Sequence, residues 1–288
     1  MTSITVAIPF YINSSFVDLK NCIKSINDQY QKPQEIIIVV NGRKISTKEK
    51  NKINYSLKAL IENIKLKIFY LEKSSISKAL NLCISKSNCE WICRMDADDK
   101  MLSNRISSFN NWLSKNKKNN LWIFYSQIIT LEDGKLGGIW KTCSPRFLNI
   151  QLSITNPILH VSVFFKKEIV KQIGCYRDMP KVEDYDLWLR LYKYANQRKN
   201  KEAFIRCNLP LVAYNIDLKD SKESMSFRSI NFKTNYQIRN LNLMPFPILT
   251  VILCIPINIF CKIKQCFRPI SYKVFKVLRF RYKLIKKN

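Results

Sequence analysis

The sequence predicts an α/β fold built on a doubly wound, mostly parallel sheet with helices on both faces. Two observations predict it. Short apolar runs alternate with segments of helical spacing through the first hundred residues, the pattern of a parallel sheet covered on both sides. One such run, Trp91-Ile92-Cys93-Arg94-Met95, breaks off at Asp96-Ala97-Asp98-Asp99. Aspartate is depleted in strands and clustered like charges repel. The acidic group therefore belongs on a loop at the strand's carboxyl end, the edge where open α/β sheets bind ligands.

Each element follows in order. Thr5 to Phe10 reads as a buried strand whose end Pro9 marks. Phe16, Leu19, Ile23 and Ile26 give helical spacing between Phe16 and Gln29. Glu35 to Val40 is a second apolar strand, closed by the turn pair Asn41-Gly42. A polar helix from Thr47 to Ile64, a strand from Leu66 to Leu71 and a helix from Ile76 to Ser87 lead to the run at Trp91. Loops at Tyr11–Ser15, Asn41–Arg43 and Asp96–Asp99 then share one sheet edge.

Close-set carboxylate oxygens suit a hard divalent cation such as Mg²⁺, with water and phosphate filling its other positions. The alternative is a solvated turn in which Asp99 or Ser103 caps the next helix. No GxGxxG or Walker pattern occurs, which argues against a dinucleotide dehydrogenase and a P-loop enzyme.

Composition narrows the partners. The chain has 288 residues, 47% hydrophobic, and a formal net charge of +28. That charge calls for an anionic partner: nucleic acid, anionic lipid or a phosphorylated substrate. From Lys219 onward only Asp220 and Glu223 oppose the basic residues. The ten cysteines form no CxxC pair and His160 is the single histidine, so a zinc site is not expected. With no secretory signal before the first strand, free thiols in a reducing cytosol are expected.

Further along, Arg105 to Trp112 reads as helix, Leu121 to Ile129 as strand, and Glu132-Asp133-Gly134 as a hairpin turn. Val161 to Phe165 is a short strand, followed by a helix from Lys167 to Ile173 that Gly174 closes. Glu183-Asp184-Tyr185-Asp186 sits at the start of a buried helix carrying Leu187, Trp188, Leu189 and Leu191. The helix macrodipole alone would favour acidic residues there; a general base is the functional reading. His160 reads equally as a packed residue and as a substrate contact.

Five segments carry a family resemblance: Thr5–Phe10 with Tyr11, Lys78-Ala79-Leu80-Asn81, Arg94 to Asp99, Asn156-Pro157-Ile158-Leu159-His160, and Glu183 to Arg190. In this order they resemble the family 2 glycosyltransferases, nearest to the non-processive members that build bacterial surface polysaccharides. The resemblance runs from about Thr5 to Tyr214 and implies a GT-A fold, a nucleotide-sugar donor and Mg²⁺ or Mn²⁺. It implies Asp98 as main metal ligand and Asp96 on the metal or ribose. Pro9, Tyr11, Asn41, Lys78 and Arg94 would line the nucleotide-sugar site, and His160 would contact acceptor or sugar. Asp184 would be the catalytic base, with Asp186 as the alternative, and Glu183 would orient or hydrogen-bond the acceptor. The chain departs from the pattern at Asn41, where many relatives carry aspartate, at Ser75 and Cys83, which replace glycines, and at Ser103, which replaces a proline.

Residues 1–218 are thus expected to form the catalytic domain and 219–288 a membrane-associating region. Leu241 to Cys261 is apolar but broken by Pro245, Pro247 and Pro256, barely the length of a spanning helix. Lys262 to Lys287 interleaves apolar and basic residues, suiting an amphipathic helix on anionic lipid; the alternative is a helix packed on the domain. The expected enzyme inverts the anomeric centre, uses a glycan or lipid-linked acceptor, and works on the cytoplasmic face of the membrane. A sugar-nucleotide nucleotidyltransferase and a nucleic-acid-binding protein are the rivals. The first normally has a Gly-rich basic loop after its first strand, which Tyr11–Ser15 is not. The second should line a groove with stacking aromatics, whereas here many basic residues gather in an aliphatic tail.

Overall fold

The structure is a computed structural model that describes residues 2–116, 120–132, 134–179, 181–216, 227–253 and 256. Among the described residues nine strands, β1 (Ile4–Tyr11), β2 (Glu35–Asn41), β3 (Lys65–Leu71), β4 (Trp91–Arg94), β5 (Lys100–Met101), β6 (Ile123–Glu132), β7 (Lys135–Trp140), β8 (Val163–Lys166) and β9 (Phe204–Asn215), form one sheet in the order β3-β2-β1-β4-β8-β6-β9-β5, with β7 hydrogen-bonded to β6. The first four are β1 (Ile4–Tyr11), β2 (Glu35–Asn41), β3 (Lys65–Leu71) and β4 (Trp91–Arg94), all parallel. Helices α1 (Phe16–Asn27), α2 (Thr47–Lys58) and α3 (Ile76–Lys86) connect them. The second half is mixed. β8 (Val163–Lys166) runs antiparallel to β4 and to β6 (Ile123–Glu132), while β6 is parallel to β9 (Phe204–Asn215).

Alternation along the buried strands supplies a core to each face. Ala7, Ile37 and Val39 pack beneath α3, with Ala79, Leu80 and Cys83. Their neighbours Val6, Ile8, Ile36, Ile38 and Val40 pack on the opposite face, with Leu19, Ile23 and Ile26 of α1. This period of two is what a strand buried on both sides requires.

Strand β1 continues through Pro9 to Tyr11, two positions past the expected mark. Ala7 accepts from Met95 on the β4 side, and β4 has ended at Arg94. Pro9 faces that same side beyond the end of β4, so its missing N–H forfeits no ladder bond. Helix α2 stops at Lys58 rather than Ile64, with Ala59 as its cap.

The sheet curls. β5 (Lys100–Met101) follows β4 after five residues, yet lies four places away in the strand order. Four steps across a flat sheet span about 19 Å, nearly the full reach of that connection, about 20 Å. The connection itself contains a turn, Asp99 N–H to Asp96 O. Only a sheet folded over on itself brings β5 antiparallel against β9, Met101 opposite Val212.

Further helices among the described residues are α4 (Arg105–Asn116), α5 (Leu148–Ile154), α6 (Lys167–Gln172), α7 (Glu183–Gln197) and α8 (Phe227–Arg239). Strand β7 (Lys135–Trp140) pairs with β6 as the predicted hairpin. Residues 247–253 are also helical. Within 227–253, Tyr236 and Met244 join the same core as Tyr185 and Trp188. No helix among the described residues is long and apolar enough to cross a membrane. The basic run Lys262 to Lys287 lies outside the described residues.

Candidate active site

Strands β1, β2 and β4 end at the same edge and deliver three loops there. Tyr11 is opposite Asn41 across the β1–β2 ladder and is 43% exposed. Its ring lies against Gly42, which adopts φ +127°; a Cβ there would stand 2.5 Å from the ring, so only glycine fits. Asn41 is buried, and its amide donates to Phe10 O at 3.0 Å. That bond holds the ends of β1 and β2 together. Lys78, in the first turn of α3, pairs with Asp178 at 3.3 Å, both well exposed.

The acidic loop follows β4. Asp96, Asp98 and Asp99 each place a carboxylate oxygen within 4.8 Å of the others. Asp96 forms an ion pair with the buried Arg94. Asp98 is exposed to solvent; even so, the protein around its carboxyl and then the Asp96 charge push it up to about 6. Asp99 is buried, and burial with its two acidic neighbours raises it well above the usual carboxylate range. One oxygen of Asp99 accepts from Asn215 N at 2.7 Å, and the other is buried without a partner. The three carboxylates form an all-oxygen donor set that a hard divalent cation would satisfy.

Arg94 is the centre of the constellation. Its charge bears on Asp96, Tyr176 and Asp99, on His160, and on Glu183 and Asp184. Its Nε is buried without a hydrogen-bond partner. Arg105 holds the strand beneath it. That fully buried guanidinium donates to Arg94 O at 3.0 Å and Val161 O at 2.7 Å, and lies over the Phe164 ring. The acidic loop and the His160 segment are thereby fixed to one another.

His160 is hydrogen-bonded to Tyr176 Oη at 2.8 Å and meets Trp188 edge to face. Burial and then Arg94 hold its ring well below the ordinary histidine range, so it is neutral. The Tyr176 backbone is gripped by Asn81, whose amide donates to Tyr176 O at 2.8 Å and accepts from its N–H at 2.9 Å. The Lys78-Ala79-Leu80-Asn81 segment thus has a physical role, since through it α3 positions the Tyr176–His160 pair.

The second acidic group occupies the first turn of α7, where the sequence puts it. Glu183 is 8% exposed, with one carboxylate oxygen buried and unpartnered. Burial and the adjacent Asp184 push it up to about 7. Asp184 accepts from Asn156 Nδ2 at 2.7 Å and from Tyr185 N at 2.7 Å. Burial raises its pKa, opposed by the Asn156 bond. Asp186 faces elsewhere. It is wholly buried, with Arg190 Nε at 2.7 Å, Arg177 Nη1 at 3.3 Å and Tyr236 Oη at 2.8 Å.

Several contributors carry no role that the family resemblance assigns. Asp99, Asn156, Tyr176 and Arg105 all buttress the site, and so does α8. From α8, Lys233 bonds Thr155 Oγ1 at 2.7 Å and lies over the Tyr185 ring, while Gln237 donates to Tyr185 Oη at 2.9 Å. Asn156 is visible in the sequence only as part of its motif. α8 lies beyond Tyr214, where the resemblance ends.

Residues 5–174 match the profile described as "Glycosyl transferase family 2". The chain belongs to that family. Among its relatives is the O-antigen biosynthesis glycosyltransferase WbnJ of Escherichia coli, 30% identical over 192 residues, 66% of this chain and 71% of the relative. Another, also from Escherichia coli, is UDP-Gal:alpha-D-GlcNAc-diphosphoundecaprenol beta-1,3-galactosyltransferase, 26% identical over 65% of this chain. The alignment spans 66% of that relative's own length, just under two thirds. The GT-A architecture is shared with S. aureus TarS 1-349 in complex with UDP-GlcNAc, at TM-score 0.58 and 14% identity, covering 83% of this chain and 67% of that one. It is shared too with the Pyrobaculum calidifontis mannosyltransferase solved with GDP-Man and Mn2+, at TM-score 0.57 and 13% identity, covering 96% and 78%.

Proposed function

We propose that this family 2 glycosyltransferase is a metal-dependent, inverting enzyme that moves one sugar per encounter from a nucleotide donor to a glycan or lipid-linked acceptor in surface polysaccharide synthesis. One observation carries the reading. Two acidic groups lie on different elements, the Asp96–Asp98–Asp99 loop and the Glu183–Asp184 turn; Arg94 is ion-paired to Asp96 of the first, and its charge is felt by Glu183 and Asp184 of the second. Attack opposite a leaving nucleotide needs such a division, with charge compensation on one side and a base on the other.

On the donor side, Asp98 and Asp96 would hold Mg²⁺ or Mn²⁺, which would offset charge on the departing nucleoside diphosphate. Pro9, Tyr11, Asn41 and Lys78 line the loops expected to receive base, ribose and phosphates. Arg94 offers its buried guanidinium to the phosphates or sugar. On the acceptor side, Asp184 takes the attacking hydroxyl's proton. Asn156 fixes its carboxylate and leaves lone pairs free, since two oxygens offer about four sites. Glu183 orients the acceptor, and His160, neutral and held by Tyr176, contacts acceptor or sugar. Asp186 supports the turn through Arg190.

Residues 1–218 carry this chemistry, and 219–288 bring it to an anionic membrane on the cytoplasmic face. Nucleic acid is not a partner. The test is a donor screen that follows nucleoside diphosphate release across common sugar nucleotides with Mg²⁺ or Mn²⁺. Release from one donor, dependent on metal and acceptor, is expected. No release from any would overturn the proposal.

A further inference from the structure

The described surface has its exposed large apolar side chains concentrated in one place. Six of thirteen belong to two short segments that lie side by side. Phe147, Ile150 and Ile154, at 51%, 42% and 36% exposure, come from α5 and the turn before it. Phe246, Ile248 and Ile252, at 42%, 76% and 61%, come from the segment around residues 247–253. Ser153 joins the two: it accepts from Phe246 N at 2.9 Å on its hydroxyl and from Thr250 Oγ1 at 2.9 Å on its carbonyl. Ile150, Phe246, Pro247, Ile248 and Leu249 line a shallow groove between them.

A soluble protein scatters its exposed apolar residues, and a continuous patch marks a partner surface. Charge identifies the partner. Arg146 lies over the Phe147 ring at the patch border. The sequence directly after the patch, from Lys262 to Lys287, is rich in Lys and Arg with no acidic residue, on a chain of net charge +28. Exposed isoleucine and phenylalanine beside a strongly basic segment match an anionic lipid surface, which takes apolar side chains beneath its head groups and cations among them.

We propose that the α5–247–253 face docks on an anionic bilayer, so that catalytic-domain residues insert beside the C-terminal region. The consequence is orientation. α5 ends at Ile154, and the next two residues are Thr155, bonded to Lys233, and Asn156, bonded to Asp184. Docking there puts the Asp184 end of the site nearest the lipid, as a lipid-linked acceptor requires. That orientation rests on the reading of Asp184 as the acceptor-side base; the docking does not.

The test uses the full chain with phosphatidylcholine vesicles containing 0 or roughly 25% phosphatidylglycerol, co-sedimented at low salt, and compares wild type with Ile150→Asp and Ile248→Asp. Wild type should sediment with the anionic vesicles only. Each variant should partition about tenfold or more weakly, since each places a charge where an isoleucine would be buried. Melting temperature and sugar-nucleotide binding, read in parallel, should not change. Ile150→Leu should bind as wild type, and so covers the case of a misfolded aspartate variant. Wild-type binding by Ile150→Asp would overturn the proposal, showing that the C-terminal region works alone or folds over the patch. So would loss of a dimer in solution with vesicle binding intact, which would assign the face to a second copy. Failure of the glycosyltransferase reading looks different: no sugar nucleotide binds, whatever the vesicles do.

Discussion

The two acidic groups have nearly the same composition and opposite surroundings. Asp96, Asp98 and Asp99 sit on a loop after a strand, tightly clustered, with one buried cation among them. Glu183, Asp184 and Asp186 sit in one helical turn, and the turn divides them. Asp186 points into the body of the protein and is consumed by Arg190, Arg177 and Tyr236. Glu183 and Asp184 have no such ion pair among the described residues and carry raised pKa values, with the Asn156 amide bonded to Asp184. Carboxylates on a loop can converge on one ion, whereas a helix spreads them at about 100° per residue and separates their roles.

Four experiments break or sharpen that contrast. The largest effect is expected at Asp184→Asn, which keeps shape and the Asn156 contact but cannot take a proton. Turnover should fall by roughly 10²–10⁴ with donor binding nearly unchanged. Steady-state kinetics beside calorimetry reads both, and lost donor binding would move this residue to the nucleotide side. Next is Asp186→Ala, which strands the buried Arg190. Removing one partner of a buried pair costs about 3–5 kcal/mol, a fall in Tm of roughly 10 °C. An unchanged melting curve would show that Asp186 is not structural.

Third, Asp98→Ala should abolish the gain in donor affinity on adding Mg²⁺ or Mn²⁺, a loss of at least the roughly tenfold that removing even an outer-shell partner costs a metal site. Calorimetry with and without metal decides it, and a retained gain would place the ion elsewhere. The smallest effect concerns Glu183, whose folded pKa of about 7 lies above its ordinary 4.5. The folded state therefore holds this proton longer than the unfolded chain, and stability falls as pH rises from about 4.5 through 7. Glu183→Gln removes that slope. Relative to wild type it should gain a few °C in Tm at pH 8 and little at pH 4. Parallel Tm curves across that range would show that Glu183 carries no such proton.

The legible and illegible parts of the molecule differ by range along the chain. Strands β1 to β4 are readable because full burial makes each a continuous apolar run. The acidic loop is readable because aspartates cannot continue such a run. The buttressing is not. Tyr236 meets Asp186 across 50 residues and Asn215 meets Asp99 across 116, and neither pairing leaves a local pattern. α8 looks like an ordinary polar helix, with Lys233, Tyr236 and Gln237 as unremarkable members. The mixed half of the sheet is hidden likewise: Val161 to Phe165 is as apolar as a parallel strand, and its direction is set by the segments on either side. Asn41 shows the opposite limit. Its position reads as a nucleotide contact, while its amide is bonded to Phe10 O.

The curl of the sheet has a consequence for the order of assembly. Strands β1 to β4 and their helices are contiguous and can pair as soon as they exist. The acidic loop cannot take its final shape then, because its far end is fixed by β9: Met101 opposite Val212, Leu102 N to Leu211 O, and Asn215 N to Asp99. Contacts of such sequence separation form late. The three aspartates, written in the first third of the chain, thus reach their final arrangement only when β9 arrives. A chain emerging from the ribosome would carry its aspartates through most of synthesis without the arrangement proposed to hold the ion. A fragment ending at residue 200 should bind Mn²⁺ no better than its Asp98→Ala counterpart.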